Sequence, residues 1–368
     1  MTIADIERFF EEWTPRWTAW ERDNVGLQVG DRSKPVRKIL VALDVSDEVI
    51  AEALAKRVDL VVSHHPLLFR PPSSITTSDT VGKRVLSLAE NRVALYSAHT
   101  NLDFARDGVS FSLAKALGLT NVRFLSPLKD SLVKLAVFVP EEHVQRVADS
   151  MAEAGGGIIG NYSSCSFRIK GTGTFRGTEG AKPFLGKAQQ LETVNEVRLE
   201  MVLPRAKLQA VTAAMKAVHP YEEVAYDIYR LENRNPNFGM GAIGELSKRV
   251  SLGSFLSKMK KLLNAEAVRY AGNLRQNVRR VAVCGGSGSD LLDEAMAAGA
   301  DVFVTADVRY HTFQDAKGRI ALVDAGHWET EHVVLPSIEG RLRDLMRRSG
   351  ESIRVFVSQH STNPTHCF

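Results

Sequence analysis

The sequence predicts an α/β fold in two pieces: a discontinuous, mostly parallel α/β domain with an inserted ferredoxin-like α+β domain. Three observations lead there. Both flanks alternate apolar strands with helical stretches, the middle repeats one strand–helix unit, and small groups of imidazoles and carboxylates follow strands on both flanks. At 368 residues the chain exceeds one ordinary core. The predicted boundaries are 1–129 for the first part of the α/β domain, 130–235 for the insert and 236–368 for the second part.

The first flank offers strands at Val36–Leu43, Val58–Ser63 and Val93–Ser97, and the second at Val278–Cys284, Val302–Thr305, Ile320–Asp324 and Ile353–Val357. Short, nearly continuous apolar runs separated by helical stretches imply strands covered by helices on both faces. In the middle, Val133–Pro140 aligns with Val197–Pro204, and the match continues through Val144/Leu208, Gln145/Gln209, Val147/Val211 and Met151/Met215. Each copy is an alternating strand ended by Pro, then a helix with apolar steps of three and four. Further strands are expected at Ser164–Lys170 and Val224–Tyr229, giving βαβ twice over. The Gly- and Thr-rich segment 171–193 reads as hairpin or loop, and Asn233–Gly239 as the exit from the insert.

Composition narrows the class. Hydrophobic residues make up 44% and charged residues 24%, ordinary for a soluble globular chain. A net charge of +4 without a run of five Lys/Arg or an aromatic–basic stripe argues against a nucleic-acid partner. Asp5 and Glu7 stand where a signal peptide would be basic, and no stretch approaches the roughly 18 apolar residues of a membrane span. Cys165, Cys284 and Cys367 have neither disulfide-framework nor thiolate-metal spacing, so a cytoplasmic protein is expected.

The chemistry is carried by three clusters. Val58–Ser63 runs into His64-His65-Pro66, Val93–Ser97 leads to His99 and Asp103, and Ile320–Asp324 ends in His327 and Glu331. Ligands collect beyond the carboxyl ends of parallel strands, so neighbouring strands would bring all three together. Two adjacent imidazoles are costly to bury without partners, although a surface or hydrogen-bonded pair is the plainer alternative. His327 and Glu331, four apart at a helix start, share one face. Asp103 is preferred as a ligand over a turn-capping role, and His99 suits proton transfer. Five donors exceed the needs of one catalytic zinc, which points to two divalent ions roughly 3.5–4 Å apart with Glu331 as the bridge. Zinc is the first candidate, and nitrogen–oxygen ligation also admits Mn, Fe, Co or Ni.

Other segments carry less. Cys284–Asp290 follows a strand and is either a phosphate cradle or a tight turn; it matches neither the dinucleotide fingerprint nor the P-loop. After the strand Val302–Thr305, Asp307 and His311 are candidates to hydrogen-bond ligands or substrate, with His311 a second proton-transfer candidate. Asp23–Gly30 reads only as a structured loop.

Together these segments resemble the dinuclear-metal family of GTP cyclohydrolase 1 type 2 homologs. The resemblance rests on Asp23–Gly30, Ser63–Phe69, Ser97–Asp103, Thr305–Ala316 and Asp324–Glu331, in the family's order. The central segment, with His219-Pro220-Tyr221-Glu222-Glu223, looks like the insert of longer members, related to signal-transduction and copper-tolerance domains. The resemblance implies His64, His65, Asp103, His327 and Glu331 as the two-metal ligands, a homohexamer, and hydrolytic opening of the GTP imidazole ring. Arg22 stands where the family has Trp, with Trp20 displaced, and Ala306 where it favours Gly. The leading function is thus a metal-dependent hydrolase using bridging water on a nucleotide or related small molecule. A non-enzymatic metal or ligand sensor, or a metal-delivery protein, is the rival, and an interaction adaptor the third choice.

Overall fold

A computed structural model describes residues 1–367. The chain forms two compact units, Met1–Ser126 together with the chain from Phe238 on, and Pro127–Asn237. It is a mixed α/β structure with several sheets. No helix among the described residues is long and apolar enough to cross a membrane.

The first unit contains two sheets where the sequence suggested a single mostly parallel one. The five-stranded sheet runs in the order Gly26–Val29, Ala94–Ser97, Leu60–Ser63, Lys38–Ala42, Arg354–Val357. All its pairings are parallel except that of Gly26–Val29. The six-stranded sheet runs Arg269–Ala271, Ala321–Asp324, Val302–Ala306, Asn277–Ser287, Gly239–Ser251, Thr120–Pro127. Its three central strands are parallel, and Arg269–Ala271 and Gly239–Ser251 flank them antiparallel. The parallel strands are the continuous apolar runs of the sequence, because both of their faces are covered. Leu60 and Val62 join Phe10, Tyr96 and Ile338 on one face, while Val61 joins Val49, Leu88 and Leu95 on the other. In the second sheet Val302 and Val304 pack with Val281 and Val323, and Phe303 with Ala282 and Leu322 on the opposite side.

The two flanks interleave. Arg354–Val357, near the end of the chain, pairs with Lys38–Ala42, with Phe356 opposite Leu40. The amino-terminal helix Ile3–Trp13 buries Ile3, Ile6, Phe10 and Trp13 at three- and four-residue steps, and Phe10 stacks on Tyr96 with ring centroids 4.7 Å apart. Thr2 and Asp5 close its start as a capping box. Thr2→Ala is expected to lower stability by about 1 kcal/mol, read as a shifted urea midpoint; an unchanged midpoint would show that the cap adds nothing.

The second unit is an antiparallel sheet in the order Phe167–Arg176, Leu191–Pro204, Leu132–Pro140, Tyr226–Leu231. Helices Val144–Glu153 and Leu208–Val218 pack on one face, with Val137, Val139, Leu199 and Met201 meeting Val147, Met151, Val211 and Met215. Part of the segment read as loop is strand: Gly171 to Thr174 pair with Glu196 to Thr193 in an unbroken ladder. A Gly- and Thr-rich sequence is tolerated there because the strand lies at the sheet edge.

Candidate metal centre

Strands Leu60–Ser63 and Ala94–Ser97 are parallel neighbours with Ser63 opposite Ser97, so the residues that follow them emerge side by side. The backbone N–H groups of His64 and His65 continue the sheet onto Ala42 and Leu43, at 3.2 and 2.9 Å. The two imidazoles are thereby anchored by backbone, with rings 4.9 Å apart. Beyond Ser97, His99 precedes the helical turn Thr100–Asp103. On the second sheet, Ala321–Asp324 leads through Gly326, at φ 91°, into the helix His327–Glu331.

The late helix meets the histidine doublet. Glu331 Oε2 lies 3.0 Å from His65 Nε2 and 3.2 Å from His327 Nε2, while its Oε1 lies 3.7 Å from His64 Nε2. Asp103 Oδ1 is 3.8 Å from that same His64 nitrogen. Donor atoms of His64, His65 and His99 fall within 4.8 Å of one another, as do those of His65, His327 and Glu331. A tetrahedral ion with metal–nitrogen lengths of about 2.1 Å separates its donors by roughly 3.4 Å, so the spacing suits cations.

Every ring in the cluster is held from outside through Nδ1. His64 donates to the Ala98 carbonyl at 2.8 Å, His65 to Asp44 at 2.7 Å, His99 to Asp23 at 2.8 Å and His327 to Asp307 at 2.6 Å. Those carboxylates are themselves fixed, Asp44 by Thr362, Asp23 by Thr100 and Asp307 by Ser287. A proton committed to Nδ1 leaves the Nε2 lone pair aimed inward, the arrangement that orients metal-binding histidines.

The centre lacks internal satisfaction. His64 Nε2, Asp103 Oδ1 and Glu331 Oε2 are buried and have no hydrogen-bond partner; the close approaches of His65 and His327 to Glu331 do not have hydrogen-bond geometry. Such atoms are expensive unless something else occupies the space between them. Burial, followed by the charge of Glu331, pushes the Asp103 carboxyl well above its usual range. Burial also depresses His64. For His65 and His327 burial opposes the charge, but the surrounding carboxylates outweigh it and lift them to about 10 and about 9. For Glu331 burial is likewise overcome, here by the histidines, and the carboxyl is held well below its ordinary value. The carboxylates that draw protons onto His65 and His327 are the same groups that would face a cation.

His99, read from sequence as a proton-transfer candidate, joins His64 and His65 in one of the two groups of donor atoms. His311 does not come in: it is exposed, its ring edge-on to Tyr310 at 5.4 Å. After Val302–Ala306 the backbone turns at Asp307, with φ 53°, so this carboxylate rather than His311 reaches His327. The glycine-rich Cys284–Asp290 segment forms no open phosphate cradle, because its N–H groups are committed internally. Those of Gly285, Gly286 and Gly288 donate to the hydroxyls of Ser110, Thr330 and Thr305. Beside the cluster lies a cavity of about 580 Å³, lined by Asp44, His65, Arg269, Asp307, His327 and Trp328, among others.

The sequence profile of Duf34/NIF3 (NGG1p interacting factor 3) matches residues 1–364. The chain belongs to this family. Among its relatives, a GTP cyclohydrolase 1 type 2 homolog of Halalkalibacterium halodurans is 40% identical, with 99% of each chain aligned. The protein of the same name from Bacillus subtilis is also 40% identical, over 98% of this chain and 96% of its own. The crystal structure of a Bacillus cereus protein related to NIF3 superposes with a TM-score of 0.85 at 39% identity, covering 100% of this chain and 99% of that one. Staphylococcus aureus protein SA1388 gives 0.81 at 30% identity over the same shares.

Three further positions of this NIF3-family chain shape the cluster. Asp44 follows the strand Lys38–Ala42 at the same sheet edge as the histidines, a position that could have flagged it. Asp23, in the segment read only as structured loop, is the anchor of His99. Gly286 makes room for Glu331: a Cβ there would lie 2.1 Å from Glu331 Oε1, on a backbone at φ 62°. Gly286→Ala is therefore expected to displace the carboxylate and weaken metal retention by roughly 10–100-fold, the range seen when ligand orientation is lost. Equilibrium dialysis against zinc with wild-type affinity would show that Glu331 is not a ligand or can shift at no cost.

Proposed function

We propose that the chain holds two divalent ions through His64, His65, Asp103, His327 and Glu331 and acts as a metal-dependent hydrolase. Its substrate class would be a nucleotide or related small molecule, with GTP the first candidate because the relatives carry that name. The observation that carries the reading is the set of buried, partnerless donors facing one another while each ring is satisfied on its outer side. Bound ions would supply Lewis acidity and a water acidified towards a pKa of about 7. Zinc is the first choice, with Mn, Fe, Co and Ni compatible with the same donors.

The protein's own groups divide the work. Glu331 is suited to bridge, since one oxygen faces His64 and the other faces His65 and His327. His99 can hold a proton near the reacting centre, with Asp23 stabilising the charge that results, or serve as a further donor. Asp44 and Asp307 orient rings at the rim of the cavity, whose lining also includes Arg269, paired with Asp324, and Trp328, one face of which is stacked on His332. The chain would assemble as a homohexamer. The Pro127–Asn237 unit would be a ferredoxin-like insert, supported by its strand order and its two helices on one face.

Elemental analysis of natively purified protein, followed by an untargeted screen for metabolite turnover, tests it. Two metal equivalents per chain and turnover lost on chelation are expected. Tight reversible metal binding with no turnover across a nucleotide panel including GTP would replace the hydrolase by a metal sensor or delivery protein.

A further inference from the structure

We propose that the Pro127–Asn237 unit carries a separate binding site for a small organic ammonium cation, built from an aromatic enclosure around the carboxylate of Glu196. None of its residues belongs to the metal cluster, and the inference does not depend on that cluster.

The sheet of this unit has one face under its helices and one face open. Val137 and Val139 point to the helices, so Phe138 between them lies on the other face. The ladder sets Phe138 opposite Arg198 and Arg198 opposite Ile169, which puts Glu196, Gly173 and Phe175 on that open face too. There they line a cavity of about 460 Å³ together with Phe184 and Tyr221, a volume suited to a small metabolite.

The enclosure is held in place. Tyr221 donates its hydroxyl to Glu196 Oε1 at 2.8 Å, and its ring centroid lies 6.2 Å from that of Phe184 and 6.4 Å from that of Phe175. His143 packs edge-on behind Phe184, at 5.6 Å. Tyr221 itself is positioned by His219, whose Nε2 donates to the Phe138 carbonyl and whose Nδ1 accepts from the Tyr221 N–H, both at 3.1 Å. That gives the His219-Pro220-Tyr221 sequence a local purpose: a buried imidazole clamps the turn that presents the tyrosine. The edge strand makes room as well, for a Cβ on Gly173 would lie 2.1 Å from Glu196 Oε2.

Charge decides the ligand class. Glu196, Glu222 and Glu223 line the cavity with the guanidinium of Arg176, while Arg198, over the Phe138 ring at 6.0 Å, is paired with Glu200 at 2.9 Å. Glu222 already accepts from the Lys182 N–H at 2.9 Å. No lysine or arginine among the described residues pairs with Glu196 within salt-bridge distance. A carboxylate set among aromatic faces, whose own electrostatics favour cations, suits an ammonium group with an apolar flank and repels an anion.

Calorimetric titration of the full chain tests this with choline and benzyltrimethylammonium as cations and 3,3-dimethyl-1-butanol as the neutral isostere of choline. The cations should bind, and the alcohol should bind at least about tenfold more weakly, as expected for a desolvated cation–π and carboxylate contact. Glu196→Gln should remove most of that difference. Phe184→Ala, at a ring that is 47% exposed and outside the core, should weaken both cations several-fold without moving the unfolding transition. Equal binding of alcohol and choline, cation affinity unchanged in both variants, or no binding of either cation at millimolar concentration would each overturn the proposal.

Discussion

His64→Ala should abolish metal-dependent turnover and weaken metal binding by more than about 100-fold, beyond the 10–100-fold that losing an orienting partner costs. His64 is fully buried, and its Nε2 lies between Asp103 and Glu331. Among the described residues it is thus the only ring within 4 Å of both carboxylates. Its backbone anchor to Ala42 does not involve the side chain, so the strand should persist in the variant. Loss of the ring also removes a buried nitrogen without a partner, which limits the cost to folding in the absence of metal. The comparison that gives the result meaning is Asp307→Asn, which leaves every proposed ligand in place and only loosens His327. An intermediate loss is expected there. Full turnover and wild-type metal content in a folded His64→Ala protein would remove the metal centre from the function.

The strands that place this centre were legible because they are buried on both faces. Leu60–Ser63, Ala94–Ser97, Val302–Ala306 and Ala321–Asp324 are covered along their whole length, and such strands write themselves as unbroken apolar runs. The candidate donors could be singled out because His64 and His65 stand directly beyond one such run, and Asp103, His327 and Glu331 within seven residues of the end of another. The division into two sheets was not, since no local pattern says whether Lys38–Ala42 will take Arg354–Val357 or another strand as its neighbour. Arg269–Ala271 is three residues long and mostly exposed, too short to show a period. The orienting carboxylates were half legible. Asp307 was singled out with His311, but only the left-handed turn at Asp307 decides which of the two reaches His327. Asp23 sits 76 residues from His99, and Thr362 lies 318 from Asp44; sequence reading offers no signal for contacts of that span.

Chelation is expected to lower the melting temperature on the order of 10 °C, and resupply of a divalent ion should restore it. An ion that binds the folded state at a concentration about 1,000 times its Kd stabilises that state by about 4 kcal/mol, and each kcal/mol moves a domain of this size by roughly 2–4 °C. The unfolded chain competes poorly, because only the His64-His65 doublet and the His327/Glu331 pair are local, and the two pairs are far apart in sequence. Asp103, His327 and Glu331 arrive from distant positions and exist as a set only when both flanks have folded together. A bound ion would therefore close a contact between the two sheets of the first unit, whereas none of the candidate donors comes from the Pro127–Asn237 unit. If the two units melt separately, only the transition of the first should respond. His64→Ala should show a much smaller difference between melting with and without chelator, at most a few °C if binding is weakened about 100-fold. A wild-type transition indifferent to both chelator and added metal would mean that the buried donors are satisfied by protons and water instead, and that the cluster is a neutral core feature.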